Sequence, residues 1–336
     1  MLVRSLALAC ATLAMATAAT ADPVADFYRG KSIRLALPNS PGGSTTLYGL
    51  TVSEFWQRHI PGNPTIVIEY RTGAGGITAS NHMYSVAPKD GIALLMLVAG
   101  QISQDIEPES ARFDAAKFAY IGRAADLPRA IVAWHASGLK SVEGAREKVY
   151  TIGAANRGSV TYLQPAAMNI IAGTKLKIVT GYSGAGPMYL ALERGEVDLA
   201  SVGFEGLTSV RAAWMRDKQV NMIVTIGSRP FPGHESVPNI VDLGRTPEDK
   251  EMLSYMSHQS DMGQVFVGPP GMPADRLEAL RRAFDATMRD PEFLANAAKK
   301  QMEVIPRTGE QMQAFAEQVA RRSPEVVARL KKVAME

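Results

Sequence analysis

Three glycine-rich or polar loops, each following an apolar strand-like run, are the segments of this sequence best suited to chemistry. Pro41-Gly42-Gly43-Ser44-Thr45 follows the run Ser32–Pro38 and precedes a helical pattern from Leu47 to His59. The loop Ala154–Thr161 follows Val149–Gly153, and Gly181–Gly186 follows Leu176–Thr180. In open α/β sheets, ligands bind outside the carboxyl ends of the strands. A helix starting there offers unpaired N–H groups and the positive end of its dipole, which favours anions. Glycine lets the backbone approach a ligand closely, while Ser44 and Thr45 can cap the helix or bind the anion themselves. A plain tight turn with a hydroxyl cap has the same composition, so the residues alone leave both roles open. Arg157 is the only fixed cation in the two second-half loops. It can pair a carboxylate in bidentate fashion or stand solvated. Tyr182 and Phe204 can line a pocket or belong to the core. Glu205 is the one acid placed just after an expected strand.

Catalytic signatures fail one by one. Gly181-Tyr182-Ser183-Gly184-Ala185 departs from a nucleophile elbow at its last position, which is Ala185 instead of glycine. Gly73-Ala74-Gly75-Gly76-Ile77-Thr78 lacks the last glycine of a dinucleotide fingerprint, and no acid follows at the end of a strand. The five histidines, His59, His82, His135, His234 and His258, are isolated and have no metal-ligand spacing. These absences predict a chain without catalytic residues, metal or cofactor. A hydrolase using Ser183 is the remaining enzymatic alternative.

Positioning such loops takes a repeated strand–helix pattern, and the chain has one. Strands are expected at Ser32–Leu37, Thr65–Tyr70 and Ile92–Val98, then again at Ala130–Trp134, Val149–Gly153, Leu176–Thr180, Val197–Val202 and Val220–Ile226. Helical patterns lie between them, and a helical C-terminal region runs from Pro273, with a possible break at Pro324. Alternating strands and helices predict mainly parallel sheets. The 336 residues, with the pattern restarting near residue 125, predict two domains. Lys and Arg are scattered and the formal charge is only +3, so nucleic acid is not an expected partner.

Residues 1–21 read as an export signal: Arg4, an apolar run from Leu6 to Ala18, and Ala19-Thr20-Ala21 as the cleavage site. Cleavage after Ala21 removes Cys10, the only cysteine, leaving no thiol or disulfide. Lipid attachment at Cys10 is an alternative, although little apolar sequence precedes it. No second hydrophobic stretch reaches spanning length, so the mature chain is expected to be soluble.

Several of these segments, taken together and in order, resemble the receptors of tripartite tricarboxylate transporters, the Bug or TctC-like solute-binding proteins. They are the Pro41–Thr45 loop, Arg71-Thr72-Gly73-Ala74-Gly75-Gly76, Ala87-Pro88-Lys89-Asp90-Gly91, Tyr182–Pro187, Gly195-Glu196-Val197-Asp198 and Val267–Pro273. The resemblance covers essentially the whole mature chain. It implies a type II-like periplasmic binding protein: two α/β lobes joined by a hinge around an interlobe ligand cleft. The expected division is 22–123 plus 228–336 for the first lobe and 124–227 for the second, with crossovers near Arg123 and Gly227. The ligand-binding set it implies is Ser40, Gly42, Gly43, Ser44 and Thr45, with Gly100 and Gln101 completing the first-lobe wall. Ala155, Asn156, Ser159, Thr161, Ser183, Gly184, Ala185 and Gly186 follow from the second lobe. Arg157, Tyr182, Phe204 and Glu205 join the set from the residue reading.

Two positions depart from the family pattern: Thr46 stands where an acid is common, and Gly203-Phe204-Glu205 where Phe-Asp-Asn is common. Loss of an acid at Thr46 and gain of Arg157 are expected to favour an anion. The implied function is capture of a small carboxylate-bearing solute in the periplasm by a monomer, and its delivery to membrane transporter subunits. A ligand sensor reporting to a periplasmic signalling domain is the alternative on the same fold.

Overall fold

The computed structural model describes residues 22–99, 101, 111–157, 159–204, 206–228, 231, 233–321 and 324–335. The expected export signal with Cys10 and Ala21 lies outside these residues, as do Gly100 and Glu205.

After α1 (Pro23–Tyr28), β1 (Ser32–Leu37) places Ile33 and Leu35 in the core while Ser32 and Arg34 face outward. Its hydrogen bonds run to β2 (Thr65–Tyr70) on one side and β3 (Ala93–Leu97) on the other, both parallel. The connections are α2 (Ser44–His59) and α3 (Ile77–Ser85). All five residues of β3 are buried, as a strand covered on both faces requires. β4 (Ala119–Arg123) follows, and the chain then crosses to a second sheet.

That sheet contains β5 (Arg129–Trp134), β6 (Tyr150–Gly153), β7 (Leu176–Val179), β8 (Leu199–Gly203) and β9 (Val220–Ile226). Its helices are α4 (Val142–Glu147), α5 (Val160–Ala167), α6 (Ala185–Glu193) and α7 (Ala212–Arg216). Then come α8 (Pro247–Met262), β10 (Val265–Gly268), α9 (Ala274–Thr287), α10 (Pro291–Lys299), β11 (Arg307–Thr308), α11 (Gly309–Ala320) and α12 (Pro324–Met335). The spatial orders are β11-β4-β10-β3-β1-β2 and β7-β6-β8-β5-β9.

Both sheets are mixed but mainly parallel, as expected: β1, β2, β3 and β4 run one way in the first, and β6, β7, β8 and β9 in the second. β10 is antiparallel to β3 and β4, and β5 is antiparallel to β8 and β9. The reason is the route of the chain. β10 and β5 each enter their sheet from the cleft side, where the neighbouring strands end. Val265, the first residue of β10, thus pairs with Leu97, the last of β3. Arg129, the first of β5, pairs with Gly203, the last of β8.

Each sheet is buried on both faces. Trp56 of α2 centres the outer core of the first sheet, edge-on to Phe266 at 5.6 Å and Phe284 at 5.5 Å. Leu192 and Trp214 pack with Val132 and Val202 on the outer face of the second sheet. A third cluster is continuous from Leu95 and Tyr120 to Ile131, Ile152 and Met168, so the inner faces of the two sheets share one core.

The crossing segments pair with each other. Ala124 N–H donates to the Gln264 carbonyl at 3.0 Å, Gln264 N–H to Ala125 at 2.8 Å, and Leu127 N–H to Ser260 at 2.8 Å. Gly263 sits within this ribbon at φ +51°, and a Cβ there would fall on the Ala125 carbonyl oxygen and the Asp126 backbone. Gly263→Ala is therefore expected to cost about 2 kcal/mol or more, read as a lowered midpoint of urea unfolding.

The packing of the later segments also departs from the expected division at 228. α8 packs on α5, β9 and the turn Ile240–Leu243, and α12 packs on α5 and α8. Residues 240–262 and 324–335 thus cover the second sheet, and the chain re-enters the first only at β10. Arg329 of α12 holds Asp249 of α8 at 2.7 Å. That hydrogen bond is the main cause that holds the Asp249 carboxyl below the usual aspartate range.

Candidate functional site

Between the sheets lies a cleft of about 210 Å³. Its first-sheet wall comes from the loops after β1, β2 and β3, including Ser40, Gly43, Ser44, Thr45, Gly75 and Gln101. Its second-sheet wall comes from the loops after β6 and β7, including Ala155, Asn156, Ser159, Thr161, Ser183, Gly184 and Ala185. The structure thus brings twelve of the expected residues to one cavity: Ser40, Gly43, Ser44, Thr45, Gln101, Ala155, Asn156, Ser159, Thr161, Ser183, Gly184 and Ala185.

The two walls nearly touch. A Cβ placed on Gly43 would lie 3.7 Å from the Ala185 methyl, and one on Gly75 would lie 3.1 Å from Asn156 Nδ2. This is a closed arrangement, and the glycines make it possible by keeping the approach free of side chains.

Four helices, α2, α3, α5 and α6, begin at the cleft, and none has a side-chain cap hydrogen bond at its N-cap residue. Of the helices that begin elsewhere, α1, α4, α8, α10 and α11 have one, while α7 and α9 do not. At the cleft the first-turn N–H groups are therefore not taken by side-chain caps, and only Ile77, which donates to the Ala74 carbonyl, and Tyr162, which donates to the Ser159 carbonyl at 3.0 Å, are given a backbone acceptor among the described first-turn groups of α3 and α5.

The hydroxyls are used differently from expectation. Ser159 Oγ donates to the Asn156 carbonyl at 2.6 Å, and Thr161 Oγ1 accepts from Ala155 N–H at 3.0 Å, so both shape their own loop. Thr45 Oγ1 accepts from Asn39 Nδ2 at 3.3 Å, and Ser44 Oγ accepts from Gln264 Nε2 at 3.2 Å. Gln101 is bound to Ser80 Oγ, and its Nε2 donates to the Gly75 carbonyl at 3.2 Å, fixing the loop after β2. Thr46 is buried with its hydroxyl on the Ser40 carbonyl at 3.4 Å, closing the first loop from behind.

Five expected residues stand outside the wall. Gly42 is at an exposed turn, and Gly186 has already entered α6. Tyr182 packs over Gly153, and burial, its leading cause, raises its phenol pKa. Phe204 is core, edge-on to Phe231 at 4.7 Å. Arg157 is exposed, with its guanidinium 5.6 Å from the Tyr162 ring centre, and does not line the cleft.

The charge in the wall comes from a residue the sequence reading passed over. Arg129 is the only charged side chain among the described lining residues. Its Nε donates to Ser201 Oγ at 3.0 Å and its Nη2 to the Ser201 carbonyl at 2.6 Å. Ser201 Oγ in turn donates to Gln164 Oε1 at 2.6 Å. Ser201 and Gln164 are buried and also line the cleft. The remaining wall is largely apolar: Ile77, Leu97, Val98, Phe113, Leu127 and Met188. An arginine opening an otherwise apolar strand, and a glutamine inside the apolar run Tyr162–Ala167, were the available signals. Among the described residues no group of His, Cys, Asp and Glu is placed to hold a metal.

Known proteins share this architecture. A protein from Cupriavidus necator, the UPF0065 protein in the gbd 5′ region, is 26% identical over 334 residues, covering 96% of this chain and 95% of its own. The solved periplasmic binding protein BugD superposes with a TM-score of 0.73 at 19% identity, over 92% of this chain and 99% of that one. An adipate-bound protein from R. palustris gives a TM-score of 0.70 at 18% identity, over 90% and 98%. The profile of the tripartite tricarboxylate transporter family receptors matches residues 58–331. With the two-lobed fold and the glycine-lined cleft, that match over most of its length makes this chain a member of the tripartite tricarboxylate transporter receptor family, the TctC family.

Proposed function

We propose that this protein is an exported monomeric receptor that closes on a small carboxylate-bearing solute and hands it to the membrane subunits of a tripartite transporter, without catalytic turnover. The observation that carries the reading is the set of four uncapped helix N-termini converging on a cleft whose only charged described residue is Arg129. Each N-terminus presents the positive end of a helix dipole, and no described carboxylate in the wall opposes an anion. The family supports the transporter partner, and the adipate in the related R. palustris protein supports the ligand class. Among the described residues no helix is long and apolar enough to cross a membrane, consistent with a receptor free of the bilayer.

Closure follows from differential contact. A ligand held by α2 and α3 from one side and α5 and α6 from the other stabilises the closed form alone. The hydrolase reading has little support, since no histidine is among the described lining residues around Ser183.

The test is a thermal-shift screen of the mature protein, refolded to strip carried ligand, against organic acids. A ligand at a hundredfold excess over its Kd is expected to add about 2.7 kcal/mol of stability. A shift confined to one chemical group of acids supports the reading. No shift with any acid refutes it.

A further inference from the structure

One sheet edge is left open in a way the others are not. The two sheets end in β11 and β2, and in β7 and β9. Sheet edges are normally blunted, because their free N–H and C=O groups invite another strand. β11 has only two residues. Thr225 of β9 is bridged to Asn239, and β7 carries exposed Lys177 with exposed Lys175 just before it. β2 has six residues, no proline or lysine, and an unbroken register with β1. Thr65 N–H donates to the Lys31 carbonyl at 3.2 Å, and Arg71 N–H to Leu37 at 2.9 Å. By alternation, residues 65, 67, 69 and 71 face β1, while Ile66, Ile68 and Tyr70 turn their backbone groups outward. Ile66 N–H is taken by Gln57 Oε1 at 3.1 Å. Ile68 and Tyr70 are then the outward donors of the edge.

The side chains around this edge are apolar and basic. Val67 is 44% exposed and Tyr70 45%, so two of the six residues offer large apolar surface to solvent. Arg34 of β1 is in register with Val67. Glu69 is the only charged residue of β2, and it stands 3.8 Å from both Arg34 Nε and Arg71 Nη2, beyond hydrogen-bond length. Two guanidinium groups thus share one carboxylate, and a net positive charge remains. With His82 of α3 they border a pocket of about 110 Å³.

We propose that β2 is a docking strand for an extended, acidic segment of a partner protein, which joins the first sheet through Ile68 and Tyr70 and sets a carboxylate beside Arg34 and Arg71. In strand addition, main-chain bonds supply affinity and alternate side chains supply specificity. A second copy of this chain is the poorer occupant, because it would bring two sets of arginines together. Under the receptor reading above, the membrane subunits are the source of the segment, and only that identification rests on it. The loop after β2 sets Gly75 against Asn156 of the opposite wall. A segment docked on β2 therefore lies next to the place where the two walls meet.

The experiment uses the mature protein and two end-blocked octapeptides, one alternating valine with glutamate and one alternating valine with lysine. Isothermal titration reads affinity, and amide hydrogen exchange reads the docking point. The glutamate peptide is expected to bind at least about tenfold more tightly than the lysine peptide and to slow exchange of the Ile68 and Tyr70 amides. Arg34→Glu is expected to erase that preference. Tyr70→Pro removes an outward N–H and leaves the Arg71 bond to Leu37 in place. It is expected to weaken the glutamate peptide by about tenfold or more, with the ligand-free melting temperature unchanged. Arg34→Glu carries the test by itself if Tyr70→Pro loses the fold. No binding of the glutamate peptide, equal binding of the two peptides, or protection elsewhere overturns the docking strand. So does a dimer of the free chain that Tyr70→Pro abolishes, which assigns the edge to a second copy. Acids bound in the thermal screen with no peptide docked overturn this inference and leave the receptor reading standing. No acid bound defeats the receptor reading, whatever the peptides do.

Discussion

Arg129→Met is expected to weaken carboxylate binding by about 30- to 700-fold, the equivalent of about 2–4 kcal/mol for removing one partner of a desolvated charge pair. The guanidinium is the only full positive charge among the described residues of the wall. It is also held rigidly: both of its hydrogen bonds are accepted by Ser201, on a strand that is buried throughout. A pre-oriented cation loses little freedom when the ligand arrives, and so more of its attraction appears as affinity. The same titration on Arg157→Ala is expected to stay within about twofold of wild type, because that side chain is exposed and outside the wall, over Tyr162. A large loss from Arg157→Ala with an intact Arg129→Met would reverse the assignment of the cleft cation.

Gly43→Phe is expected to raise the apparent Kd about a hundredfold or more while leaving the ligand-free melting temperature unchanged. Gly43 has an extended backbone that any residue adopts, so the substitution does not strain the loop. Its missing side chain, however, faces the Ala185 methyl of the opposite wall, where a Cβ alone would already make contact. A ring at that position has to displace α6 or hold the walls apart. If the closed form falls to about one part in a hundred, the apparent affinity falls by the same factor. Titration with the best acid from the screen measures the loss, and small-angle scattering with saturating ligand shows whether the particle stays expanded. Wild-type affinity in this variant would mean that the walls do not need to meet at Gly43 for binding.

The two variants probe different parts of the same free energy. One removes an attraction available to the ligand, and the other removes the closed state in which several attractions act together. Gly263→Ala, by contrast, acts on the ribbon between the sheets and is expected to appear in stability whether or not ligand is present.

Much of this was legible in the local sequence. The alternation of Ser32–Leu37, the β-branched run Thr65–Tyr70 and the apolar run Ala93–Leu97 state their own burial, because a strand's side chains must match the two faces it covers. The loops at Pro41–Thr45 and Gly181–Gly186 announce close backbone approach, since only glycine permits it. Family resemblance then placed twelve residues around one cavity. What stayed unread has long-range causes. β4, β10 and β11 are five residues or fewer, and β10 becomes a strand only by filling the gap between β3 and β4 from the opposite direction. The mixed sheets follow from where the chain crosses, which no local pattern encodes. α8 did carry a signal in Thr246-Pro247-Glu248-Asp249, a capping box with proline in the first turn, but its place on the second sheet is decided by what Met252, Leu253 and Met256 pack against.

The cleft cation shows the same division most sharply. Arg157 lies in the loop after β6 and Arg129 opens β5, so each is an arginine beside a strand terminus. Only the tertiary structure turns one out over Tyr162 and bends the other back onto Ser201, against a buried glutamine from α5. Local sequence determined that this protein would build two α/β units with backbone-rich loops at their strand ends. The packing of those units against each other decided which donors face the cavity, because facing is a property of two surfaces and neither segment contains it alone.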